Sequence, residues 1–523
     1  MITRLGAFFR LARAVFVLVR AGVFNDVDTT LLPPFAKLPL AVARLLARKT
    51  QGPALAALPG AISKLGPSYV KLGQFLATRP DVVGPNVVKV LERLQDRMEP
   101  FPREAAVRQI EQAFGCKLED MFVSLGEPVA AASIAQVHRG RVRDALGERE
   151  VAIKVRRPGV ERLMKRDLAD MKVAASFIES RFPDSQRLRP TSVVDTLARS
   201  LKMETDFRLE AAAASEFAEN VADETDFRVP KIDWDRTAAE VLTLEWIDGI
   251  KLSDTVGLAQ RGFELPKLGA IVIQSFLRHS MRDGLFHADM HQGNLFVDRD
   301  GRLVAVDFGI MGRLGVKERR FLAEILYGFI TRDYLRVAEV HFEAGYVPRV
   351  HRVEDFAQAI RAIGEPIHSR TADQISMARL LSLLFEITGL FDMKARTELV
   401  LLQKTMVVVE GVARTLDPRL DMWTTAEPVV RAWIEENLGP LGKLQDASRG
   451  VHDLYKLAGG LPVALSRAGR TLEMLEDMAD NGFEFSQNAL DQFGQMQKDA
   501  QKFGHWALWA IVAVAAYWII WRH

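Results

Sequence analysis

The chain has 523 residues, 48% hydrophobic and 26% charged, which is too long for one ordinary core and too apolar for extended disorder. A formal net charge of +2 offers no basic excess, so no nucleic-acid partner is expected. Cys116 is the only cysteine, which excludes a disulfide framework and a thiolate metal site and fits a reducing compartment.

At the N-terminus Arg4, Arg10, Arg13 and Arg20 interrupt the apolar stretch and no small-residue cleavage site follows, so it does not read as a signal peptide. At helical spacing Arg10, Arg13 and Arg20 fall on one side, with Phe8, Val15 and Leu18 among the apolar residues elsewhere. Two readings stay open: a helix lying on an anionic membrane surface, and a surface helix with scattered arginines. Residues 25–100 are punctuated by proline and helical in pattern. Gly66-Pro67 signals a helix start and Arg79-Pro80 a stop. On propensity alone, Lys71 and Gln74 between them are exposed polar residues one turn apart.

Residues 115–155 read as β-structure. The small-residue stretch Ala130-Ala131-Ala132-Ser133-Ile134-Ala135-Gln136-Val137-His138 leads to a strand, a turn around Asp144–Glu148, and a second strand ending Val151-Ala152-Ile153-Lys154-Val155. Val151, Ile153 and Val155 alternate onto one face, which turns Lys154 to the other. A lysine on an inner face needs an anionic partner. V-A-I-K follows the small-residue loop at the distance expected of a phosphate-covering hairpin, so Ala130 to His138 and Lys154 are candidate ATP contacts.

Residues 190–220 read as a helical segment. One of its acids should pair with a nucleotide lysine, and Glu210, on the alanine-rich side, is the choice. Val241–Gly249 then reads as a strand running into a linker, with Glu245 where backbone groups of a two-lobed nucleotide fold would meet adenine.

The stretch Leu285–Gly309, LFHADMHQGNLFVDRDGRLVAVDFG, carries the chemistry. Leu295-Phe296-Val297 is a short strand, Asp298–Gly301 has turn composition, and Leu303–Val306 is the return strand. This hairpin brings Asp289, Asn294 and Asp307 to one end of a sheet, where they could hold Mg²⁺ on a nucleotide phosphate and orient a nucleophile. His287, Asp289, Asn294, Asp307, Phe308 and Gly309 match the kinase pattern H-x-D-x-x-x-x-N followed by D-F-G. Asp289 is the catalytic candidate, Asn294 and Asp307 the Mg²⁺ candidates, and His287 a support for the loop. A zinc site built on His287-x-Asp289-x-His291 would leave Lys154, Asn294 and the hairpin unexplained.

After Gly309 helical patterns run through 319–329, 380–391 and 396–416, with no A-P-E segment. Residues 441–500 read as an amphipathic connector. Trp506–Trp521 is uncharged with tryptophans at both ends; it is shorter than the roughly 20 residues of a typical span but within reach of a thin bilayer, and reads as a membrane anchor. Lys498 and Lys502 before it place the main body on the cytoplasmic side.

Taken together these residues resemble the UbiB/ADCK family of atypical protein-kinase-like proteins over roughly residues 60–420. The family's K-x-G-Q signature stands as Lys71-Leu72-Gly73-Gln74, its alanine-rich nucleotide loop as Ala130–Ser133, its E-x-D motif as Glu204-Thr205-Asp206, and its H-A-D-x-H-x-G-N loop as His287 to Asn294. Met290 and Gln292 are minor departures. The resemblance implies an α+β, two-lobed protein-kinase-like fold with an N-terminal helical extension (1–114), an N-lobe (115–248), a C-lobe (249–440), a connector (441–500) and a transmembrane helix (505–522). It implies that Lys71, Gln74, Glu204 and Asp206 regulate the site, the helix of Lys71 folding over it where a protein substrate would dock.

The same resemblance implies ATP and Mg²⁺ as cofactors and a phosphotransferase or ATPase supporting ubiquinone biosynthesis at the bacterial inner membrane. Its partners would be the lipid membrane, polyprenyl quinone precursors that it acts on or extracts, and other ubiquinone-biosynthesis enzymes. Alanine in place of glycine restricts both close approach and positive φ, so the loop should grip phosphates differently from a glycine loop. Two alternatives remain open: a nucleotide-binding scaffold without turnover, and a protein kinase acting on a partner.

Overall fold

The computed structural model describes residues 2–25, 34–47, 53–77, 83–91, 94, 98–145, 147–181, 189–368, 387, 390–393 and 397–438. The chain divides into two units, Met1–Glu435 and Glu436–His523; of the second, residues 436–438 are among those described. The expected connector at 441–500 and anchor at 505–522 lie outside the described residues, as does most of the helix expected at 380–391. Among the described residues no helix is long and apolar enough to cross a membrane.

The N-terminal extension is a set of helices: α1 (Ile2–Arg20), α2 (Leu58–Leu65), α3 (Pro67–Leu76), α4 (Pro85–Leu91) and α5 (Arg103–Phe114). Pro67 opens α3 at a position whose N–H has no helical partner, so the missing donor costs nothing. Ile62, Val70, Ala77, Leu91 and Leu94 give this group its own small core. α1 packs on α2 and on α6 (Val160–Arg181).

Arg10 does not share an outward face with Arg13 and Arg20. Its guanidinium donates two bonds of 2.6 and 2.8 Å to Asp170 of α6, whose side chain is 4% exposed. An unpaired carboxylate at that depth would cost far more than a surface arginine gains, so the pair turns Arg10 inward. Arg13 and Arg20 stay exposed. On α3, buried Ser68 donates to Asp167 of the same α6 at 2.7 Å.

Alternation shapes the first sheet. β1 (Ser124–Ala131), β2 (Ala135–Asp144), β3 (Gly147–Arg156) and β5 (Val241–Glu245) pair antiparallel in the order β1-β2-β3-β5. Val151, Ile153 and Val155 are fully buried against Ala106 and Ile110 of α5. Lys154, on the opposite face, lies across from Val137 of β2 and Leu242 of β5.

The segment read as one helical run at 190–220 is two helices, α7 (Pro190–Glu204) and α8 (Phe207–Asn220). Asp206 explains the break: its carboxylate accepts from the Arg208 N–H at the start of α8, a strong N-cap that ends one helix and begins the next.

The second lobe is built on β4 (Phe227–Arg228), β6 (Ile250–Lys251), β8 (Leu295–Val297) and β9 (Leu303–Ala305), in the order β4-β9-β8-β6. Asp298 accepts from the N–H groups of Asp300 and Arg302, which closes the β8–β9 hairpin. Beside it β7 (Leu285–His287) pairs with β10 (Met311–Arg313). Gly284 enters β7 at φ +67°, where a Cβ would meet the Leu314 carbonyl, so only glycine suits that turn. α9 (Leu265–Arg278) packs on α13 (Thr397–Leu416), and α10 (Val316–Thr331), α11 (Tyr334–Glu343), α12 (Val353–His368) and α14 (Met422–Leu438) are further helices of this lobe.

Candidate active site

Lys154 stands between two carboxylates. Its Nζ donates to Glu210 Oε1 and Oε2 at 2.8 and 3.0 Å and to Asp307 Oδ1 at 3.0 Å. Glu210 is 8% exposed and Asp307 about half exposed, facing the cleft. Burial works against the lysine's charge, but Asp307 and Glu210 more than offset it, and its pKa goes up. Lys154 in turn holds Asp307 well below the usual carboxylate range. Glu210 is pushed up to about 7 by burial, which outweighs the pull of Lys154, with the charge of Asp307 adding to the rise.

That shift sets a pH window. A carboxyl that keeps its proton to about pH 7 when folded, but only to 4.5 when unfolded, adds stability below 4.5 that is lost as pH rises through 7. Asp307 and Lys154 shift away from this window in opposite directions, so among these three groups the dependence belongs to Glu210, and comparison with a Glu210 variant isolates it from the buried histidines. Denaturation midpoints of wild type and Glu210→Gln across this range should therefore diverge, wild type losing stability relative to the variant as pH rises. Parallel profiles would contradict the assignment.

Asp289 and Asn294 lie on the loop between β7 and β8. Asn294 Nδ2 donates to the Asp289 carbonyl at 3.1 Å and to Oδ2 at 3.3 Å, which leaves the Asn294 amide oxygen as an acceptor. His287 is fully buried. Its Nε2 lies 3.1 Å from the Val306 carbonyl and its Nδ1 accepts the Asp289 N–H at 3.1 Å, which defines a neutral ring protonated at Nε2. Burial lowers its pKa in agreement. It braces the loop. Val306, bonded to the Asn294 carbonyl, closes the gap to Asp307 at φ +66°.

Rings carry this geometry across to α8. His287 packs on Phe308 (centroids 5.2 Å), Phe308 on Phe217 of α8 (5.7 Å), and Phe217 on Phe227 (5.9 Å). Phe217 lies two turns along α8 from Glu210 on the same face. Three supports escape a reading of motifs alone. Phe217 is one. Arg228 joins Glu245 (3.1 Å) to Asp298 (2.8 Å), and the fully buried Thr405 of α13 places its hydroxyl 3.0 Å from the Ala288 carbonyl. Each lies far in sequence from what it holds, and none has a local signal.

The stretch Ala130–His138 does not act as one contact surface. Val137 shares the Lys154 face, and Ala130, Ala131 and Ala132 lie at the turn with partial or full exposure. Ser133, Ile134, Ala135, Gln136 and His138 are buried. Gln136 bonds the backbone of Phe101, and His138 Nδ1 lies 2.8 Å from the Gly126 carbonyl, so both side chains belong to the back of the sheet, where strand alternation sends them. Glu245 commits its carboxylate to Arg228 and the Lys231 N–H, so the adenine contact expected of this linker would fall to its backbone.

Lys71 is no exposed polar residue. Its Nζ lies 2.7 Å from Glu204 at the end of α7, with 12% and 15% of the two side chains exposed, and its charge also reaches Asp307. Gln74 is half-buried one turn on. Asp206, third in this constellation, spends its carboxylate on the α8 cap and on Arg208. Between Lys71 and Gln74, Gly73 is buried against Leu94, Leu91 and Ile62, and a Cβ there would overlap the Leu94 methyl. Gly73→Ala should therefore destabilise the extension by about 1–3 kcal/mol, the usual range for overpacking, and displace Lys71. Thermal melting of the full chain checks it; an unchanged midpoint would mean that Leu94 simply swings away.

The donors here are oxygen: the Asp307 carboxylate and the Asn294 amide. That suits Mg²⁺, which keeps several waters and takes one or two protein ligands beside substrate phosphates. Among the described residues no cluster of three or more His, Cys, Asp or Glu could hold a metal by itself.

Family comparison agrees with this geometry. Residues 93–341 match the model of the ABC1 atypical kinase-like domain and residues 360–421 that of the UbiB helical domain. A curated relative from Marinobacter nauticus, "Probable protein kinase UbiB", is 38% identical over 390 residues, covering 74% of this chain and 71% of that protein. The solved Rv3197–erythromycin complex from Mycobacterium tuberculosis shares 26% identity, covers 76% of this chain and 97% of its own, and superposes with a TM-score of 0.50. With two lobes, a lysine held between two carboxylates and both domain models in place, the chain belongs to the UbiB family of ABC1 atypical kinase-like proteins.

Proposed function

We propose that this protein binds MgATP in the cleft between its lobes and transfers or hydrolyses the γ-phosphoryl group in support of ubiquinone biosynthesis. Its site of action would be the cytoplasmic face of the bacterial inner membrane, with lipid quinone precursors as the molecules it acts on or extracts. One observation carries the reading: Lys154 is fixed between Glu210 and Asp307 in the same lobe-to-lobe cleft that Asp289 and Asn294 line.

Lys154 Nζ positions the α- and β-phosphates and neutralises charge there. Asp289, beside Asn294, would face the attacking hydroxyl or water. Its carboxylate orients that group and accepts its proton as the bond from oxygen to phosphorus forms and the bond to the ADP oxygen breaks. Bound at Asp307 and Asn294, Mg²⁺ supplies charge neutralisation on the phosphates. Lys71 pairs with Glu204 and its charge reaches Asp307. The family resemblance implies that its helix folds over the site where a protein substrate would dock, which favours water or a small or lipid hydroxyl as acceptor.

The test is phosphate release by the full-length chain with MgATP, with and without anionic vesicles and a quinone-precursor phenol. Turnover that rises with lipid supports the reading. Tight ATP binding with no turnover under any condition would replace it with a scaffold that organises other enzymes. Labelling of an added protein partner, lost in Lys154→Ala, would replace it with a protein kinase.

A further inference from the structure

Three pieces of chain meet behind the alanine turn. The turn itself is tight, the Ala132 N–H donating to the Ala135 carbonyl at 2.7 Å. Residues 98–101, the stretch of the N-terminal extension that leads into α5, run alongside it. The Met98 N–H donates to the Ala131 carbonyl at 3.2 Å, and Phe101 exchanges two bonds with the buried Gln136 side chain. Arg157, one residue beyond β3, closes the group. Its backbone N–H donates to the Ile134 carbonyl at 2.7 Å, and its Nη2 donates to the carbonyls of Ala132 (3.2 Å) and Glu99 (3.0 Å). Its guanidinium lies over the Phe101 ring, 5.2 Å from the centroid.

We propose that Arg157 is a positioning residue for the nucleotide: it clasps the alanine turn to the 98–101 connector, so the loop is set from behind before nucleotide arrives. The proposal rests on reading the cleft as a nucleotide site. A flexible loop loses entropy when it orders over phosphates, whereas a loop already fastened does not, so the clasp acts on affinity. Arginine suits the task because its planar fork bonds carbonyls on two segments while its face stacks on a ring; a lysine's point charge cannot do both. The clasp also links the extension that carries Lys71 to the turn over the phosphates. Arg157 lies only three positions beyond Lys154, so the end of β3 serves the front and the back of the site together.

The experiment uses the full chain and three variants, Arg157→Ala, Arg157→Lys and Lys154→Ala. It measures equilibrium binding of a fluorescent ATP analogue with Mg²⁺, steady-state KM and kcat, and amide exchange over residues 130–136. Arg157→Ala should weaken binding about tenfold, the effect of losing roughly 1.4 kcal/mol, and raise KM while leaving kcat near the parent value. The Ala132 amide should exchange faster while the global denaturation midpoint stays close to that of the parent. Arg157→Lys should fall between the two. Guanidinium well below denaturing concentration should restore affinity to Arg157→Ala where sodium at equal ionic strength does not. A cavity of about 180 Å³ lined by Gln109, Gln112, Arg156 and Arg157 itself offers it a path.

Unchanged affinity and unchanged Ala132 exchange in Arg157→Ala would overturn the clasp, as would a fall in kcat with KM untouched. Should Arg157→Ala fail to fold, the same readouts on Arg157→Lys decide. If the parent protein binds no nucleotide, the reading of the cleft fails, and exchange at Ala132 still reports whether Arg157 fastens the turn. Lost binding in Lys154→Ala beside parental binding in Arg157→Ala keeps the nucleotide site and removes only this role.

Discussion

Lys154→Ala should lose nucleotide binding and also destabilise the protein by about 3–5 kcal/mol, the range for removing one partner of a buried ion pair. The reason is local. Lys154 is 16% exposed and serves two carboxylates at once, Glu210 at 2.8 Å and Asp307 at 3.0 Å. Without it, two acids face each other and lose their nearest counter-charge, leaving Lys71 as the lysine whose charge still reaches Asp307. Asp307, half open to solvent, can turn toward water, which draws the expected cost to the lower end of that range. Glu210, 8% exposed, cannot. Lys154→Met should cost nearly as much, because the lost term is charge rather than volume. Adding Glu210→Gln to Lys154→Ala should recover part of the loss. Denaturant midpoints for the two single variants and the double variant measure the coupling, and simple additivity would mean that the triad contributes no interaction.

Asp289→Asn should lower kcat about a thousandfold, within the 10²–10⁴ range of a positioned general base, and leave nucleotide affinity near that of the parent. Asparagine keeps the shape of the side chain and its backbone N–H bond to His287 Nδ1 at 3.1 Å, so the loop should stay in place. What it loses is the carboxylate that would accept a proton from the attacking group. The Asp289 side chain is 41% exposed and faces the cleft, so a neutral replacement carries no burial cost. Parental turnover in Asp289→Asn would remove Asp289 from the chemistry. A matched loss of affinity and turnover would make it a structural residue of the loop.

The chemistry is legible in the sequence where spacing is short. His287, Asp289, Asn294 and Asp307 flank one hairpin, whose register follows from two apolar runs and a turn. Glu210 is legible as the acid at the head of the alanine run 211–214, where little side-chain bulk competes for the space. The sequence is less informative where the fold must choose a side. Alternation separates Val137 from Gln136 and His138, but only the pairing of β2 with β3 shows which set joins Lys154. The partners of Lys71 and Arg10 lie on helices more than a hundred residues away, and nothing local marks Glu204 or Asp170 as the ends of those bonds. The break at Asp206 has a local sign, an N-cap residue, but it sits inside a continuous helical pattern that hides it.

The rings that join His287, Phe308, Phe217 and Phe227 have a further consequence. α8 is fastened at two points on one face, by charge at Glu210 and by contact at Phe217. A helix held so behaves as a bolt rather than a lever. Swinging it outward would break an ion pair and open a closed stack of aromatic groups in the same movement, so the two costs arrive together. The groups around Lys154 are thereby kept in one posture, and under the proposed function control would fall to what is allowed to reach them.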